Sequence, residues 1–519
     1  MPHTPLATRL KNLFWLVDQA ERRGLSAAEI RNEHRQLITR REFLSAAGTV
    51  LPALFLPPAS AATSPRIVVV GAGLAGLTCA LRLRQAGFTA DIYEAADRVG
   101  GRCWTRRGDF AENQIAEHGG ELIDQSHTAI RQLAQSLGLT LDNLLQAERT
   151  DTEEFYFFDG SRYSNDDAID DLKSIWQQIH SDLSAASYPT LWNSYTARGW
   201  ALDHMSILDW IDRYVPGGMS SSLGQLLDVA YNIEYGAESS DQSSLNLLYL
   251  LGYLGPGRLR IFGPSNEKYH VRGGNDQIAA RIAAALGPQI HLSCALAAIA
   301  RRRDGTYRLT FRSANRYTDV SADRVVLALP FSILRSSVDY AAAGFRSLKR
   351  TAIEELGMGT NSKLHLQFTE RHWENLGCNG ATFADTGYQS TWDVTRAQPG
   401  GSGVLVDYTG GLTGDSFDKG KLADRAVQFL DRIEPVLPGL KAKWNGTATI
   451  DYWHGNAFTR GSYSYWKVGQ YTKFAGIEGE AEDGCHFAGE HTSIDFQGFL
   501  NGAVASGERA AKEILSAGK

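Results

Sequence analysis

Residues 66–102 decide the fold of this chain, and they read RIVVVGAGLAGLTCALRLRQAGFTADIYEAADRVGGR. The β-branched run from Ile67 to Val70 predicts a buried parallel strand. Residues 77–87 have helical spacing that stops at a glycine, and residues 90–93 form a second strand that ends at Glu94. The first strand is followed by three glycines spaced as G-x-G-x-x-G: Gly71, Gly73 and Gly76.

Each part of this motif has a physical role in holding a dinucleotide. Gly71 permits the tight turn, Gly73 lets the backbone approach a pyrophosphate, and Gly76 lets the helix pack closely on the strand. The helix N-terminus offers free N–H groups and a partial positive charge to the phosphates. Glu94 follows at the distance from which an acid accepts hydrogen bonds from the adenosine ribose. The sequence therefore predicts a Rossmann-type βαβ unit.

The segment after Glu94 distinguishes between two dinucleotides. It has the pattern R-x-G-G-R: Arg98, Gly100, Gly101 and Arg102. This extension resembles that of the glutathione-reductase-type flavoproteins and, more narrowly, that of the flavin amine oxidases. An arginine at such a position can meet a diphosphate bidentately. The segment favours FAD over NAD as the cofactor.

The resemblance to the flavin-containing amine oxidases continues in order along the chain. Four further segments carry it: AEHGGELID (116–124), YHVRGGNDQIAARIAAAL (269–286), DRVVLALPFSIL (323–334) and CHFAGEHTSIDFQGFLNGAVASGERAAKEIL (485–515). It implies an α/β fold in which a Rossmann-like FAD-binding domain is interleaved with an α+β substrate-binding domain, a mixed sheet flanked by helices.

The same resemblance implies how the two domains divide the chain. The FAD-binding domain would combine residues 65–125, 266–335 and 445–519. The substrate-binding domain would combine residues 126–265 and 336–444. Helical spacing in the first of these two segments and strand-like alternation in the second agree with that division.

The family resemblance also implies the reaction. Substrate carbon transfers a hydride to the flavin N5, the imine hydrolyses, and O2 reoxidises the flavin to give hydrogen peroxide. Lys363 matches a lysine held near N5 through a water, and Trp453 matches a tryptophan packed by the isoalloxazine ring. Tyr463 and Phe499 match the two walls of an aromatic cage that presents ring faces to the amine nitrogen. Ser462 stands where the monoamine oxidases carry a cysteine tethered to the flavin, which implies non-covalent FAD.

Other residues match cofactor contacts of the family. They lie in the glycine pair after residue 118, in the middle segment and in the closing motif: Gly119, Gly120, Leu296, Gly489, Glu490, Asn501 and Ala503.

The expected substrate is a small cationic amine. Glu121 and Asp124 lie near the implied start of the substrate channel, where their charge suits an ammonium group. The L-amino acid oxidases of the family carry a carboxylate-binding arginine soon after the glycine pair, and none occurs in GGELIDQSH (119–127). We therefore expect spermine, spermidine or putrescine. An oxidase of arginine or lysine is the alternative, and an FAD-dependent desaturase or a non-catalytic flavoprotein is an alternative of another class.

Composition indicates which partners are not expected. The 519-residue chain has a formal net charge of −6 and a pI near 6.1, whereas a nucleic-acid binder normally shows a basic surface. Its five cysteines are scattered without a C-x-x-C pair, so the sequence predicts neither a disulfide scaffold nor a metal site. Nothing in the sequence indicates the oligomeric state.

The first 64 residues resemble an export signal. Arg40 and Arg41 precede an uncharged apolar run over residues 44–62 that ends in small residues, which is the order of a bacterial twin-arginine signal. Three prolines interrupt the run before it reaches the ~20 apolar residues of a membrane span. We expect export by the twin-arginine machinery to the periplasm, or a cytoplasmic location if the signal is not used.

Overall fold

The computed structural model describes residues 65–252 and 267–517. The predicted export signal in residues 1–64 lies outside these ranges. Within them the chain has the predicted α/β fold, with one parallel and one mixed sheet as its larger sheets. No helix in the described ranges is both long and apolar enough to cross a membrane.

The strands are numbered here in chain order. They are β1 (Ile67–Val70), β2 (Ala90–Tyr93), β3 (Thr105–Arg106), β4 (Ala116–Glu117), β5 (Leu141–Asn143), β6 (Glu153–Phe158), β7 (Ser161–Tyr163), β8 (Tyr269–Val271), β9 (Ile290–His291), β10 (Ala295–Arg301), β11 (Tyr307–Ser313), β12 (Arg316–Ala322), β13 (Arg324–Leu327), β14 (Gly357–Met358), β15 (Ser362–Phe368), β16 (Cys378–Ala384), β17 (Ser390–Asp393), β18 (Gly403–Thr409), β19 (Trp444–Tyr452), β20 (Ser464–Tyr465) and β21 (Cys485–Phe487).

The parallel sheet contains the Rossmann-type unit. Its order is β21-β13-β1-β2-β9, and every neighbouring pair runs in the same direction. All four residues of β1 are buried, which explains their unbroken apolar run. Because β13 and β21 pair beside β1, segments far apart in the sequence build one sheet.

The mixed sheet has the order β19-β15-β18-β17-β16-β6-β7. Its neighbours are antiparallel except for β16 and β6. In the register of β15 and β18, Lys363 lies opposite Tyr408, and Leu364 lies opposite Asp407. Because successive side chains of a strand point to opposite faces, these two pairs belong to opposite faces of the sheet.

Helices cover both sheets. They are α1 (Leu74–Gln85), α2 (Thr128–Ser136), α3 (Leu144–Ala147), α4 (Asn165–Ala186), α5 (Ala197–Asp203), α6 (Ile207–Tyr214), α7 (Ser222–Tyr235), α8 (Ser244–Gly252), α9 (Gln277–Leu286), α10 (Phe331–Ser337), α11 (Ser347–Glu355), α12 (His372–Asn375), α13 (Gly411–Asp415), α14 (Leu422–Ile433), α15 (Gln470–Phe474) and α16 (Leu500–Ala517). α1 and α16 are in close contact, because a Cβ atom at Gly507 would lie 2.3 Å from the Ala75 carbonyl oxygen.

At one strand, the predicted domain boundaries and the membership of the sheets do not coincide. The parallel sheet takes its strands from residues 67–93, 290–291, 324–327 and 485–487. Strand β19 was expected in the FAD-binding domain, since residues from 445 onward were assigned there. It pairs instead with β15 in the mixed sheet, so the chain leaves that sheet only after Tyr452.

Candidate active site

A cavity of about 410 Å³ connects the ends of β1 and β2 with the mixed sheet. It lies at the carboxyl ends of the parallel strands, where open α/β sheets bind ligands. Many residues predicted from the sequence line it: Gly71, Gly73, Glu94, Arg98, Gly100, Gly101, Arg102, Gly119, Gly120, Glu121, Lys363, Trp453, Tyr463, Gly489, Glu490, Phe499 and Ala503.

Three glycines shape the end of the cavity next to β1. Gly71 has a φ of +102°, and a Cβ atom there would lie 2.6 Å from the Ala328 carbonyl oxygen. A Cβ atom at Gly76 would lie 2.0 Å from the Gly71 carbonyl oxygen, so the helix and the strand approach at a distance that only glycine allows. A Cβ atom at Gly73, in contrast, would have no neighbour within 4 Å. Gly73 borders the cavity. The protein itself leaves room for a side chain at this position, so the need for glycine is explained by a ligand that occupies the space.

The Glu94 carboxylate is fixed by the backbone at the end of β2. Its Oε2 accepts a hydrogen bond from the Ala72 N–H at 2.7 Å, and its Oε1 accepts one from the Ala96 N–H at 2.8 Å. Burial raises the pKa of Glu94 from its ordinary value, and these hydrogen bonds oppose that rise. The carboxylate lies at the end of the cavity where the ribose of a dinucleotide is expected.

The Arg98 guanidinium lies over an aromatic wall of the cavity. Its guanidinium carbon is 4.0 Å from the centre of the Trp104 ring. Its Nη1 and Nη2 donate to the carbonyls of Val99 at 3.2 Å and Gly101 at 3.0 Å. The group is therefore held in place by its own loop before any cofactor binds.

Arg102 is already paired with an acid. Its Nη1 donates to the Ser462 carbonyl at 2.7 Å and to Glu490 Oε1 at 2.8 Å. Burial would raise the pKa of Glu490, but the charges of Arg102 and His491 and the hydrogen bonds from Ser464 and Arg102 together outweigh it and leave the pKa below its ordinary value. A diphosphate contact by Arg102, expected from the sequence, would share the guanidinium with this ion pair.

Lys363 is buried on β15 and has three acceptors. Its Nζ donates to the carbonyls of Glu117 at 3.1 Å and Gly119 at 2.9 Å, and to Glu121 Oε2 at 2.8 Å. The other carboxylate oxygen of Glu121 accepts from Trp392 Nε1 at 2.9 Å. Burial would raise the pKa of Glu121, but the charge of Lys363 and the hydrogen bonds from Lys363 and Trp392 together outweigh it and keep the pKa below its ordinary value. Glu121 thus lines the cavity as half of an ion pair, which differs from its expected role as a free reader of substrate charge.

Trp453 is positioned by the segment that also holds Lys363. Its Nε1 donates to the His118 carbonyl at 2.7 Å. The His118 ring lies 2.5 Å from Asp451 through Nδ1, and Asp451 lies opposite Lys363 in the register of β15 and β19. Residues 117–119 are therefore tied to β15 through Lys363, to β19 through Asp451, and to Trp453 just after the end of β19.

Aromatic side chains line the cavity beside Lys363. The hydroxyls of Tyr463 and Tyr408 are 2.8 Å apart, and Tyr463 also donates to the Ile233 carbonyl at 3.3 Å. Burial raises the pKa of Tyr463 well above its ordinary value. Phe499 packs on the His127 ring at a centroid distance of 4.8 Å. Tyr463 and Phe499 thus both reach the cavity wall, as an aromatic cage requires.

Besides Gly76, which lies at the contact of α1 with β1, three predicted contact residues do not line the cavity. Asp124 is buried beside α2, where its backbone N–H donates to His127 Nδ1 at 3.0 Å. Leu296 packs in the core beneath the three-stranded sheet of β10, β11 and β12. The side-chain oxygen of Asn501 accepts from the Ile130 N–H at 3.0 Å. These three residues therefore make contacts within the protein, and their contact with a ligand stays a prediction.

Sequence reasoning missed several polar or aromatic residues of the wall, among them Trp104, Asn456, Phe458 and Thr459. Trp392, Tyr408 and Asn361 also line the cavity but were not predicted. Tyr408 lies in the alternating stretch GVLVDYT, so its face could be assigned once Lys363 was known to lie opposite it. That pairing joins residues 45 positions apart and leaves no local signal in the sequence.

The residues present fit FAD. The open space at Gly73, the fixed carboxylate of Glu94 and the guanidinium of Arg98 lie at the dinucleotide end. Trp453 and Lys363 lie at the other end, where the isoalloxazine ring would bind. When bound, FAD supplies the electron-accepting chemistry. The fold and the site together define a flavin-dependent oxidoreductase.

Comparison with known proteins narrows this class to one family. The model of the family described as flavin containing amine oxidoreductase matches residues 74–515. The chain therefore belongs to that family, and it is an FAD-dependent amine oxidoreductase.

Individual relatives agree over most of the chain. It is 24% identical over 469 residues to flavin-containing amine oxidase A of Sus scrofa, covering 87% of this chain and 85% of the relative. Its identity to flavin-containing amine oxidase B of Homo sapiens is 24% over 467 residues, covering 87% and 86%.

Solved structures share the fold. Cyclohexylamine oxidase from Brevibacterium oxydans has a TM-score of 0.75 at 21% identity, covering 88% of this chain and 99% of that one. Putrescine oxidase bound to putrescine has a TM-score of 0.73 at 22% identity, covering 87% and 99%.

Proposed function

We propose that this protein oxidises a cationic amine that carries no carboxylate, and that polyamines and diamines such as spermine, spermidine and putrescine are its first candidate substrates. The observation that carries the proposal is the buried end of the cavity, where Tyr463, Phe499 and Tyr408 surround the space next to Lys363. Ring faces attract a cationic or amine nitrogen and exclude water from it.

The hydroxyl pair at this end lies in a negative electrostatic environment. Burial raises the pKa of Tyr408, and the charges of Glu234, Glu121 and Glu267 raise it further. The three carboxylates therefore act on the same hydroxyl group. Because Lys363 offsets the charge of Glu121, the attraction of a positively charged amine rests on Glu234 and Glu267.

The positions of the arginines support a substrate without a carboxylate. In the described ranges, the arginines that line the cavity are Arg98 and Arg102, both at the dinucleotide end. Arg98 is held by its own loop, and Arg102 is paired with Glu490. An amino acid substrate would need a guanidinium or an equivalent donor at the aromatic end.

Substrate oxidation tests the proposal. The FAD-loaded protein is mixed with putrescine, spermidine, cyclohexylamine, L-arginine and L-lysine, and hydrogen peroxide and flavin bleaching without oxygen are both measured. We expect bleaching and peroxide with putrescine or spermidine. Turnover confined to the two amino acids would replace the proposal with the alternative of a basic amino acid oxidase. Bleaching by none of the five compounds would contradict the proposal as a whole.

We further propose that the protein is exported by the twin-arginine route. The support is the order of the arginine pair, the apolar run and the small residues in positions 40–62. In a bacterial host, the protein should be found in the periplasm with FAD bound. Replacing Arg40 and Arg41 together by lysine should keep it in the cytoplasm, and an unchanged location would contradict this assignment.

A further inference from the structure

A second cavity, of about 310 Å³, lies on the other face of the mixed sheet. Leu364, Asp407 and Thr409 line it, whereas their chain neighbours Lys363 and Tyr408 line the active-site cavity. Because successive side chains of a strand point to opposite faces, a single layer of backbone separates the two cavities. Nothing in the amine oxidase chemistry described above uses this second space.

Asp407 is the buried charged group of this cavity. Its exposed fraction is 4%, and its Oδ1 has no hydrogen-bond partner among the described residues. The hydroxyl of Thr409, two residues along the same strand face, also has no partner in the described ranges. Buried polar atoms of this kind are rare, because leaving them unpaired is costly. Both atoms border the same cavity, so a ligand that brings N–H donors into it could pair with both.

Two arginines supply the opposite charge. Arg432 donates through Nη1 to the Gly387 carbonyl at 2.7 Å, and Arg425 donates to the carbonyls of Ser416 and Lys419. Both line the cavity, and both act electrostatically on Asp407. Since these hydrogen bonds go to neutral carbonyls, the charges of both guanidinium groups are left for a carboxylate to which they can donate.

The combination of charges selects the class of ligand. A simple anion would meet the arginines but would be repelled by an ionised Asp407, and a simple cation would be repelled by the arginines. We propose that this cavity is an accessory binding site for a small α-amino-acid zwitterion, with the ammonium group on Asp407 and Thr409 and the carboxylate on Arg432 and Arg425. Each charged group of such a ligand meets a group of opposite charge.

A ligand that the active site cannot oxidise provides the test. In 2-aminoisobutyric acid the carbon that bears the nitrogen carries no hydrogen, so the compound is a zwitterion without an oxidisable C–H bond. Binding to the FAD-loaded full chain is measured by calorimetry at pH 8. We expect one saturable site whose affinity falls at least about tenfold in Asp407→Asn and in Arg432→Gln. Pivalate, which keeps the carboxylate and lacks the ammonium group, should bind at least about tenfold more weakly.

Matched variants keep the result interpretable. Asp424→Asn and Arg303→Gln remove the same charges from exposed positions outside the cavity, and they should bind the probe as the wild type does. Each variant is checked for FAD content and thermal stability, so that a misfolded protein is recognised. Arg425→Gln gives an independent reading if Asp407→Asn does not fold.

The dependence on pH adds a signature that a packing role would not produce. Burial raises the pKa of Asp407 to about 7. Below that pH the carboxyl is neutral, so affinity for the probe should fall as pH decreases through 7 in the wild type and stay flat in Asp407→Asn. The charge of Asp407 also acts on Tyr388, but burial raises the pKa of Tyr388 well above its ordinary value, so this tyrosine does not titrate near pH 7. Absence of saturable binding, equal binding by Asp407→Asn, or pivalate binding as tightly as the zwitterion would overturn the proposal.

Discussion

Lys363 shows how a single buried charge organises the site. Its ammonium group ties two carbonyls of residues 117–119 to Glu121, and Glu121 in turn accepts from Trp392. Removing one partner of a buried ion pair leaves the other charge uncompensated, which costs about 3–5 kcal/mol. The ion pair of Lys363 and Glu121 is therefore expected to stabilise the folded chain as well as to shape the active site.

We predict that Lys363→Met lowers the free energy of unfolding by about 3 kcal/mol. Urea unfolding of the protein without FAD measures this directly. The double variant Lys363→Met/Glu121→Gln should recover much of the loss, because it removes both buried charges. Lys441→Met, which removes an exposed partner of Asp431, is the control and should cost at most about 1 kcal/mol. A loss as small as that control would show that the pair does not hold the fold.

The same pair predicts a dependence of stability on pH. The folded-state pKa of Glu121 lies below its ordinary value of 4.5, so its contribution is present above that pH and is lost as pH falls through the folded-state pKa. The difference in unfolding free energy between wild type and Glu121→Gln should therefore shrink on acidification below pH 4.5. A difference that is constant from pH 7 to pH 3 would contradict the assignment of the charge.

Ser462 predicts how the flavin is held. Its hydroxyl lines the cavity and lies 2.6 Å from the side-chain oxygen of Asn361. A serine hydroxyl lacks the nucleophilic thiolate that a thioether link would need. We expect all flavin to remain in the supernatant after acid precipitation of the wild type and of Ser462→Ala. Yellow colour that stays in the washed precipitate would disprove a non-covalent cofactor.

At the scale of elements, the contact between β1 and α1 separates two uses of glycine. We predict that Gly76→Ala destabilises the protein by about 3 kcal/mol, because the new Cβ atom would lie 2.0 Å from a backbone oxygen. Gly73→Ala should leave the unfolding free energy without FAD within about 0.5 kcal/mol, since its Cβ atom would have no neighbour within 4 Å. Its affinity for FAD should nevertheless fall at least about tenfold, because the methyl group enters the ligand space.

Urea unfolding and FAD titration of the two variants test this separation. Gly401→Ala is the control, since a Cβ atom there also meets nothing within 4 Å and lies outside the cavity. Both measurements should match the wild type in that control. A Gly73→Ala protein that binds FAD as tightly as the wild type would contradict the role assigned to Gly73.

Elements also mark the limit of what the sequence predicts. The unit of β1, α1 and β2 was predicted because its strand, glycines and helix follow one another within 30 residues. The position of Tyr408 beside Lys363 depends on the pairing of β15 with β18, which no local pattern encodes. Asp124 and Glu121 have the same charge three residues apart, yet only Glu121 lies on the cavity wall. The chain between them turns toward α2, and that direction is set by tertiary packing.

At the scale of the whole molecule, one cavity joins the two sheets. Its wall takes Gly71 and Glu94 from the first segment of the parallel sheet, Gly489 from the last, and Lys363 from the mixed sheet. A ligand that binds only when all these parts are in place stabilises the complete fold and none of its fragments. FAD should therefore act as a structural component of the chain.

We predict that the melting temperature rises with the logarithm of free FAD concentration. At a concentration of 100 times Kd, linkage adds about 2.7 kcal/mol to the free energy of unfolding. Flavin fluorescence and far-ultraviolet circular dichroism should report the same transition in the loaded protein, because release of the cofactor and loss of both sheets are coupled. NAD at equal concentration should give no shift, and Gly73→Ala should give a smaller one. Two results together would contradict this prediction: flavin is released well below the temperature at which the sheets melt, and that melting temperature does not depend on FAD. They would show that the two sheets hold their positions without the cofactor.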